Sequence, residues 1–362
     1  MSSIIKHAIN LILFSFGKIK PITGPIRVHW DITELCNSRC RHCTRWKLKS
    51  SKTDLSTNKV KKIIKELKYI GVKSISFAGN EPLIRKDISD LIKYTTKYGI
   101  FSSINTNGLL LNKEKTEKLI KNGVGTFIFS IDSDNEKDHD FLRGVPGSFN
   151  KTFKLVNIIR SIRKKLKKRV DIQVTTVVSK KNVNKLYEIV KLCNEKGVDK
   201  MIIQPIHFIK KYFETEKSLI LTEKDIPIMQ EQLTKIEKDF KDFVVVPKNY
   251  LENFKTFFNA PNKLYKYRCT AFFITADIRS NGNVIPCPVG FRKIGNLKEK
   301  SFKEIWFSKE ANKLREDIKN NKHPLCWFSC IQPINLIAYD IKNFNILNLI
   351  NFKFIKHALS KI

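Results

Sequence analysis

Between Pro25 and Pro205 the chain repeats one pattern: a short apolar run, a polar loop, then a segment with helical periodicity. The first apolar run spans residues 26–31. The first helical segment sets Val60, Ile63, Ile64, Leu67 and Ile70 on one face, at i, i+3, i+4, i+7 and i+10, and Gly71 stops it. Further strands are predicted at 73–78, 102–106, 126–131, 170–178 and 201–204, with helices at 87–98, 112–122, 150–166 and 183–196. Strands alternating with helices predict an α/β fold on a parallel sheet. Six such units are too few for a closed eightfold barrel, so the expected architecture is a partial, open (β/α)6 TIM-like barrel.

Beyond it the texture changes. Residues 226–262 read as a helical connector, and 263–335 as a small α+β unit with a hairpin whose turn is Ser280-Asn281-Gly282-Asn283. Helices are predicted near 302–307 and 311–318. The expected organisation is a basic apolar N-terminal segment (1–25), the barrel (26–225), the connector, the cysteine-rich unit, and a basic amphipathic C-terminal tail (336–362). Neither residues 1–30 nor residues 341–362 contain an acidic side chain, so both ends suit an anionic membrane surface or, alternatively, packing on the barrel. No apolar run is long enough for a spanning helix.

The eight cysteines are grouped. Cys36, Cys40 and Cys43 form one set, and Cys269, Cys287, Cys326 and Cys330 another; Cys193 stands alone and reads as a small buried hydrophobe. With no secretory cleavage site ahead of them, grouped thiols read as metal ligands in a reducing, cytoplasmic setting rather than as disulfides. The first set follows directly after the first strand, on the loop face where parallel α/β folds place their active sites. Three thiolates can wrap a [4Fe–4S] cluster and leave one iron open to a ligand. A zinc site would need a fourth ligand, His42 or His29, and His42 adjoins Cys43, which makes simultaneous ligation awkward.

The loops after the next strands favour the cluster. Cys36-Asn-Ser-Arg-Cys40-Arg-His-Cys43 resembles the Cys-x3-Cys-x2-Cys motif of the radical S-adenosylmethionine (SAM) superfamily. Gly79-Asn80-Glu81-Pro82 resembles that family's Gly-Gly-Glu-Pro motif, Asn105-Thr106-Asn107-Gly108 its Thr-Asn-Gly loop, and Ser130-Ile131-Asp132 with Arg143 the stretch that reaches the ribose and methionine carboxylate. The resemblance implies that Cys36, Cys40 and Cys43 hold the cluster, and that Gly79, Asn80, Glu81, Pro82, Asn105, Ser130, Asp132 and Arg143 surround SAM. Asn80 departs from the second glycine of the motif; asparagine tolerates positive φ, so the turn is expected to survive. The second cysteine set resembles the reduced, twitch form of the SPASM extension, whose four thiolates suit one auxiliary [4Fe–4S] cluster; spacing alone also permits zinc.

The resemblance therefore implies an enzyme that cleaves SAM reductively to a 5′-deoxyadenosyl radical, with an electron donor such as flavodoxin or ferredoxin. Residues 1–25 leave no room for a peptide-recognition domain, so the expected substrate is a small molecule, glycan or lipid-linked compound. The alternative is a peptide or protein maturase. The rival from another class is a basic, zinc-bearing nucleic-acid-binding protein. The chain carries 68 Lys+Arg against 34 Asp+Glu. Lysine is spread throughout, however, and the one dense basic run, 163–169, has no interleaved aromatics, so nucleic acid is not the expected partner.

Overall fold

The structure, a computed structural model, describes residues 3–47, 53–209 and 215–345. Among the described residues nine strands form one sheet: β1 (Arg27–Asp31), β2 (Ser74–Ala78), β3 (Phe101–Asn105), β4 (Val124–Ser130), β5 (Asp171–Val178), β6 (Lys200–Pro205), β7 (Thr275–Ile278), β8 (Asn283–Ile285) and β9 (Gly295–Asn296). Their order is β6-β5-β4-β3-β2-β1-β7-β8-β9. The first six are parallel in sequence order, as alternating strands and helices require. Among the described residues β6 does not close onto β1, which makes the barrel partial.

Helix α1 (Ser3–Ser15) precedes the barrel. The crossover helices are α2 (Thr57–Tyr69), α3 (Ile88–Lys97), α4 (Lys113–Lys121), α5 (Glu136–Arg143), α6 (Ser148–Lys165) and α7 (Leu186–Glu195). In α2, Val60, Ile63, Ile64 and Leu67 are buried, each burial contributing roughly 1.5–3 kcal/mol. Ser56 caps its start by accepting from the Lys59 amide, and Gly71 (φ +99°) ends it where a Cβ would lie 2.7 Å from the Thr23 hydroxyl. After β6 come α8 (Asp225–Phe240), α9 (Lys248–Glu252) and α10 (Phe254–Asn259), and, among the described residues, α11 (Phe302–Trp306), α12 (Lys309–Lys319) and α13 (Gln332–Lys342) follow β9.

Two features go beyond the sequence reading. The cysteine-rich hairpin does not stand apart: β7 pairs in parallel with β1, Arg27 opposite Thr275 and Trp30 opposite Ile278, so the barrel sheet continues into it. And α13 packs on α1, with Phe14, Phe273, Ile274 and Ala338 in a satellite core. Of the expected tail, residues 346–362 lie outside the described residues. Among the described residues no helix is long and apolar enough to cross a membrane.

Strand alternation divides the sheet. Val28 and Trp30 of β1, Ile75 and Phe77 of β2 and Ile104 of β3 enter the main core. Their alternates face the concave side, which sets His29, Asp31, Ser76, Ser103, Asn105, Ser130, Thr175, Gln204 and Asp277 beside Ile128, Val177 and Ile202.

Candidate active site

Cys36, Cys40 and Cys43 lie in the loop leaving β1, at the C-terminal ends of the parallel strands. Cys40 is buried, the other two half-buried, and none is disulfide-bonded. Burial pushes the Cys40 thiol up to about 11 and raises Cys36 as well. The loop is held from several sides. The Cys43 amide donates to the Cys40 carbonyl, Arg41 N donates to Leu142 O, and the Ser38 amide donates to the Cys36 sulfur. Asn107 donates from Nδ2 to Asn37 Oδ1 (2.7 Å) and Ser38 Oγ (2.9 Å), joining the cysteine loop to the loop after β3. Gly144 (φ +63°) ends α5 against this loop; a Cβ there would lie 2.5 Å from the Arg39 carbonyl oxygen.

The residues expected around SAM all converge on this end of the sheet, in two kinds of position. Gly79 has φ +108°, and a Cβ would meet Thr33 O at 2.9 Å and Asp31 Cα at 3.1 Å, so only glycine fits. Asn80, by contrast, does not adopt positive φ. The expectation that asparagine preserves a left-handed turn is corrected: Gly79 alone makes the turn, and the Asn80 amide clamps the loop by donating to the carbonyls of Glu34 and Arg45. Pro82 is buried at the start of the 3-10 turn that follows. Asn105 and Ser130 are half-buried on the concave face, Asn105 donating to Ser76 Oγ.

Glu81 and Asp132 turn into the protein. Glu81 is fully buried and accepts from the Leu83 amide (3.0 Å), the Thr106 hydroxyl (2.8 Å) and the Asn107 amide (2.8 Å), tying the loop after β2 to the loop after β3. Burial raises its carboxyl to about 6, against the three donors. Replacing it with glutamine keeps the shape but turns an NH2 toward one donor. Glu81→Gln is therefore expected to cost about 1–3 kcal/mol, read as a lowered midpoint in urea with an unchanged slope. A midpoint equal to that of the unmodified protein would show that the brace is not used.

Asp132 is 1% exposed and accepts from Arg143 Nη1 (3.2 Å) and the Val177 amide (3.0 Å). Burial works against its ionised form, but His42 and Arg143 outweigh that and hold its carboxyl low. Burial likewise disfavours the Arg143 cation, while Cys40 and Asp132 keep it charged. Its second contact is His42 Nε2 at 3.4 Å, and burial lowers His42 to about 4, a neutral ring at physiological pH. A fixed cation thus stands beside the cysteine loop, where a carboxylate ligand would be met.

The second set lies where β7 meets β1. Cys269, Cys287 and Cys326 are buried and Cys330 half-buried, all as free thiols. Cys326 is near enough to raise each of the others; burial, the larger cause, pushes Cys269 to about 12 and Cys326 to about 11. Four thiols in one buried place are costly as thiolates without cations to neutralise them, which suits a metal cluster. The loop Cys326-Trp327-Phe328-Ser329-Cys330 is braced by residues the sequence reading missed. His207 accepts from the Trp327 amide (2.9 Å) and stacks on Phe328 at 3.7 Å; Tyr250 donates to the Trp327 carbonyl; Gln332 donates to the Cys326 carbonyl. Arg27 of β1 donates to the Cys330 carbonyl.

Between the two sets runs a buried charge network, also missed. Burial raises Asp31, but Arg45 and Arg279 outweigh it and hold the carboxyl well below its ordinary range. Asp277, opposite His29 across β1 and β7, is pushed up by burial and by Asp31. Among the described residues no three His, Cys, Asp or Glu side chains make a site for a single metal ion; in a [4Fe–4S] cube each cysteine binds its own iron.

Comparison with known proteins decides the family. The chain matches the radical SAM superfamily over residues 30–193 and an iron-sulfur cluster-binding (SPASM) domain over residues 269–331. The chain belongs to the radical SAM superfamily. It is an enzyme with a [4Fe–4S] cluster and SAM as cofactors, and its SPASM domain brings an auxiliary iron-sulfur centre. It is similar to the AdoMet-dependent heme synthase of Methanosarcina barkeri, 28% identical over 81% of this chain and 85% of that one. It is also similar to the PqqA peptide cyclase of Rhodopseudomonas palustris, 23% identical over 79% and 74%. The crystal structure of Streptococcus suis SuiB superposes with a TM-score of 0.62 at 21% identity, covering 81% of this chain and 68% of that one, and shows the same fold.

Proposed function

We propose that this radical SAM enzyme binds its catalytic cluster through Cys36, Cys40 and Cys43 and acts on a small polar substrate in the hydroxyl-lined concave face of the sheet. The observation that carries this reading is the convergence of three thiols, one fixed guanidinium and three tight strand-end loops at one end of the parallel sheet. When bound, the cluster and SAM supply reductive cleavage to methionine and a 5′-deoxyadenosyl radical that takes a hydrogen atom from the substrate.

The chain's own residues orient. Arg143, held by Asp132, meets the carboxylate of SAM. The loop at Gly79–Pro82 brings backbone groups close because Gly79 has no side chain. Asn105 and Ser130 face the ribose side, and Glu81 keeps two of the loops in register. Cys269, Cys287, Cys326 and Cys330 hold the auxiliary [4Fe–4S] centre, which sets an electron acceptor beside the polar face and suits a net oxidation. The lysine-rich surface suits an acidic donor such as flavodoxin or ferredoxin, and eight free thiols suit the cytoplasm.

A peptide substrate is the second reading, favoured by the likeness to a peptide cyclase. Deuterium transfer separates the two. Reduced, reconstituted enzyme is incubated with SAM and a deuterated sugar, iron coproporphyrin or peptide. Deuterium in 5′-deoxyadenosine from one of the non-peptide compounds is expected; transfer from the peptide alone would overturn the preferred substrate class.

A further inference from the structure

Helix α1 buries polar side chains next to its apolar contacts, Phe14 and Leu11. Its inward positions carry His7, Asn10 and Ser15, all less than 9% exposed, beside Phe14. These polar groups are used: His7 Nε2 pairs with the Gly71 carbonyl at 2.8 Å, Asn10 Oδ1 accepts from the Ile22 amide at 2.8 Å, and Ser15 donates to Leu11 O. The outward stripe is apolar as well. Ile4, Ala8, Ile12 and Phe16 follow at four-residue spacing with Ile5 beside them, and the large ones are 41–55% exposed. Ile22 and Phe344 extend it, the Phe344 ring lying 6.3 Å from Phe16.

Single exposed hydrophobes are ordinary; a patch is not. Among the described residues eleven large hydrophobic side chains are exposed, and six of them, Ile4, Ile5, Ile12, Phe16, Ile22 and Phe344, fall here. The charges nearby have one sign. Lys18, Lys20 and Lys342 are exposed, residues 1–30 have no acidic side chain, and the acid of α13, Asp340, is 1% exposed. The chain continues past Asn345 with Phe352, Phe354, Lys353 and Lys356 and no acidic residue.

We propose that the outward face of α1, with Phe344 and its flanking lysines, is a docking surface for an anionic lipid bilayer. A second copy of the chain would set these lysines against each other, and residues 346–362, themselves cationic, would meet a rim of the same sign. A bilayer with acidic headgroups satisfies both the apolar stripe and the cations around it. Through His7 and Asn10 the helix is fixed to Gly71 and Ile22, at the N-terminal ends of β1 and β2. Docking there leaves the cysteine loop, at the opposite strand ends, open to its substrate.

The test uses the full chain and sedimentation with vesicles of phosphatidylcholine, alone or with roughly one-third phosphatidylglycerol. Binding is expected only with phosphatidylglycerol and is expected to weaken with salt. The triple variant Ile5→Ser, Ile12→Ser, Phe16→Ser is expected to lose about 100-fold in partitioning while its SAM cleavage stays unchanged. Lys18→Glu with Lys20→Glu, both at exposed positions, is expected to weaken binding without touching the apolar stripe. Equal binding by the triple variant, or indifference of the unmodified chain to phosphatidylglycerol, would overturn the proposal. So would a dimer in lipid-free solution that the triple variant abolishes, which would make the patch an interface between copies.

Discussion

Cys40→Ala is expected to reduce 5′-deoxyadenosine formation to background while the auxiliary cluster stays in place. Cys40 is the buried thiol of its loop, and Arg143 is close enough to feel its charge. With alanine there, two thiolates remain, too few to hold a [4Fe–4S] cube against loss of iron. The fold is expected to survive. The loop's own hydrogen bonds run through the Cys40 carbonyl, which accepts from Cys43 N and from Trp46 Nε1 at 3.2 Å, and alanine keeps that carbonyl. Anaerobic reconstitution followed by chromatography of the products reads the outcome. Cleavage at the unmodified rate would refute the assignment of the site.

Cys326→Ala is expected to lower iron by about four atoms per chain. Cys326 is the member of the second set that influences all the others, so its loss leaves Cys269, Cys287 and Cys330 without a fourth corner. The surrounding brace of His207, Tyr250 and Gln332 engages backbone groups of this loop, which alanine preserves. Cys193→Ala serves as the control. Cys193 is fully buried on α7 within the main core, and its loss is expected to leave iron unchanged. Unaltered iron in Cys326→Ala, with zinc found in the protein, would mean the four thiols form a zinc site.

The barrel was legible because its strands are short apolar runs and its helices carry one apolar face. All six parallel strands and the α2, α3, α4, α6 and α7 helices form where the sequence suggests, with ends shifted by up to three residues; α7 begins at Leu186 because Val183–Lys185 form a 3-10 turn ahead of it. Helix α5 was not legible: Glu-Lys-Asp-His-Asp-Phe-Leu-Arg buries only His139 and Leu142, too few for a period to emerge. Nor was α1, whose buried side mixes His7, Asn10 and Ser15 with Phe14. The pairing of β7 with β1 joins residues more than two hundred positions apart, and no local pattern encodes it.

At the site, residue types and spacing located the loops but not the direction of each side chain. The resemblance sets Glu81 and Asp132 near SAM without fixing the direction of their carboxylates, and the structure turns both toward backbone amides and neighbouring side chains. A carboxylate beside a ligand and a carboxylate bracing a loop look alike in sequence. The bracing role of Asn107 and the clamp by Asn80 were missed for the same reason: an amide in a loop announces a hydrogen bond but not its partner.

The most direct test of the central claim, that the three-cysteine loop leaves one iron free for SAM, is electron paramagnetic resonance of the reduced Cys326→Ala protein, which isolates the first cluster. Addition of SAM is expected to shift the cluster signal. A spectrum that does not change with saturating SAM would contradict the account.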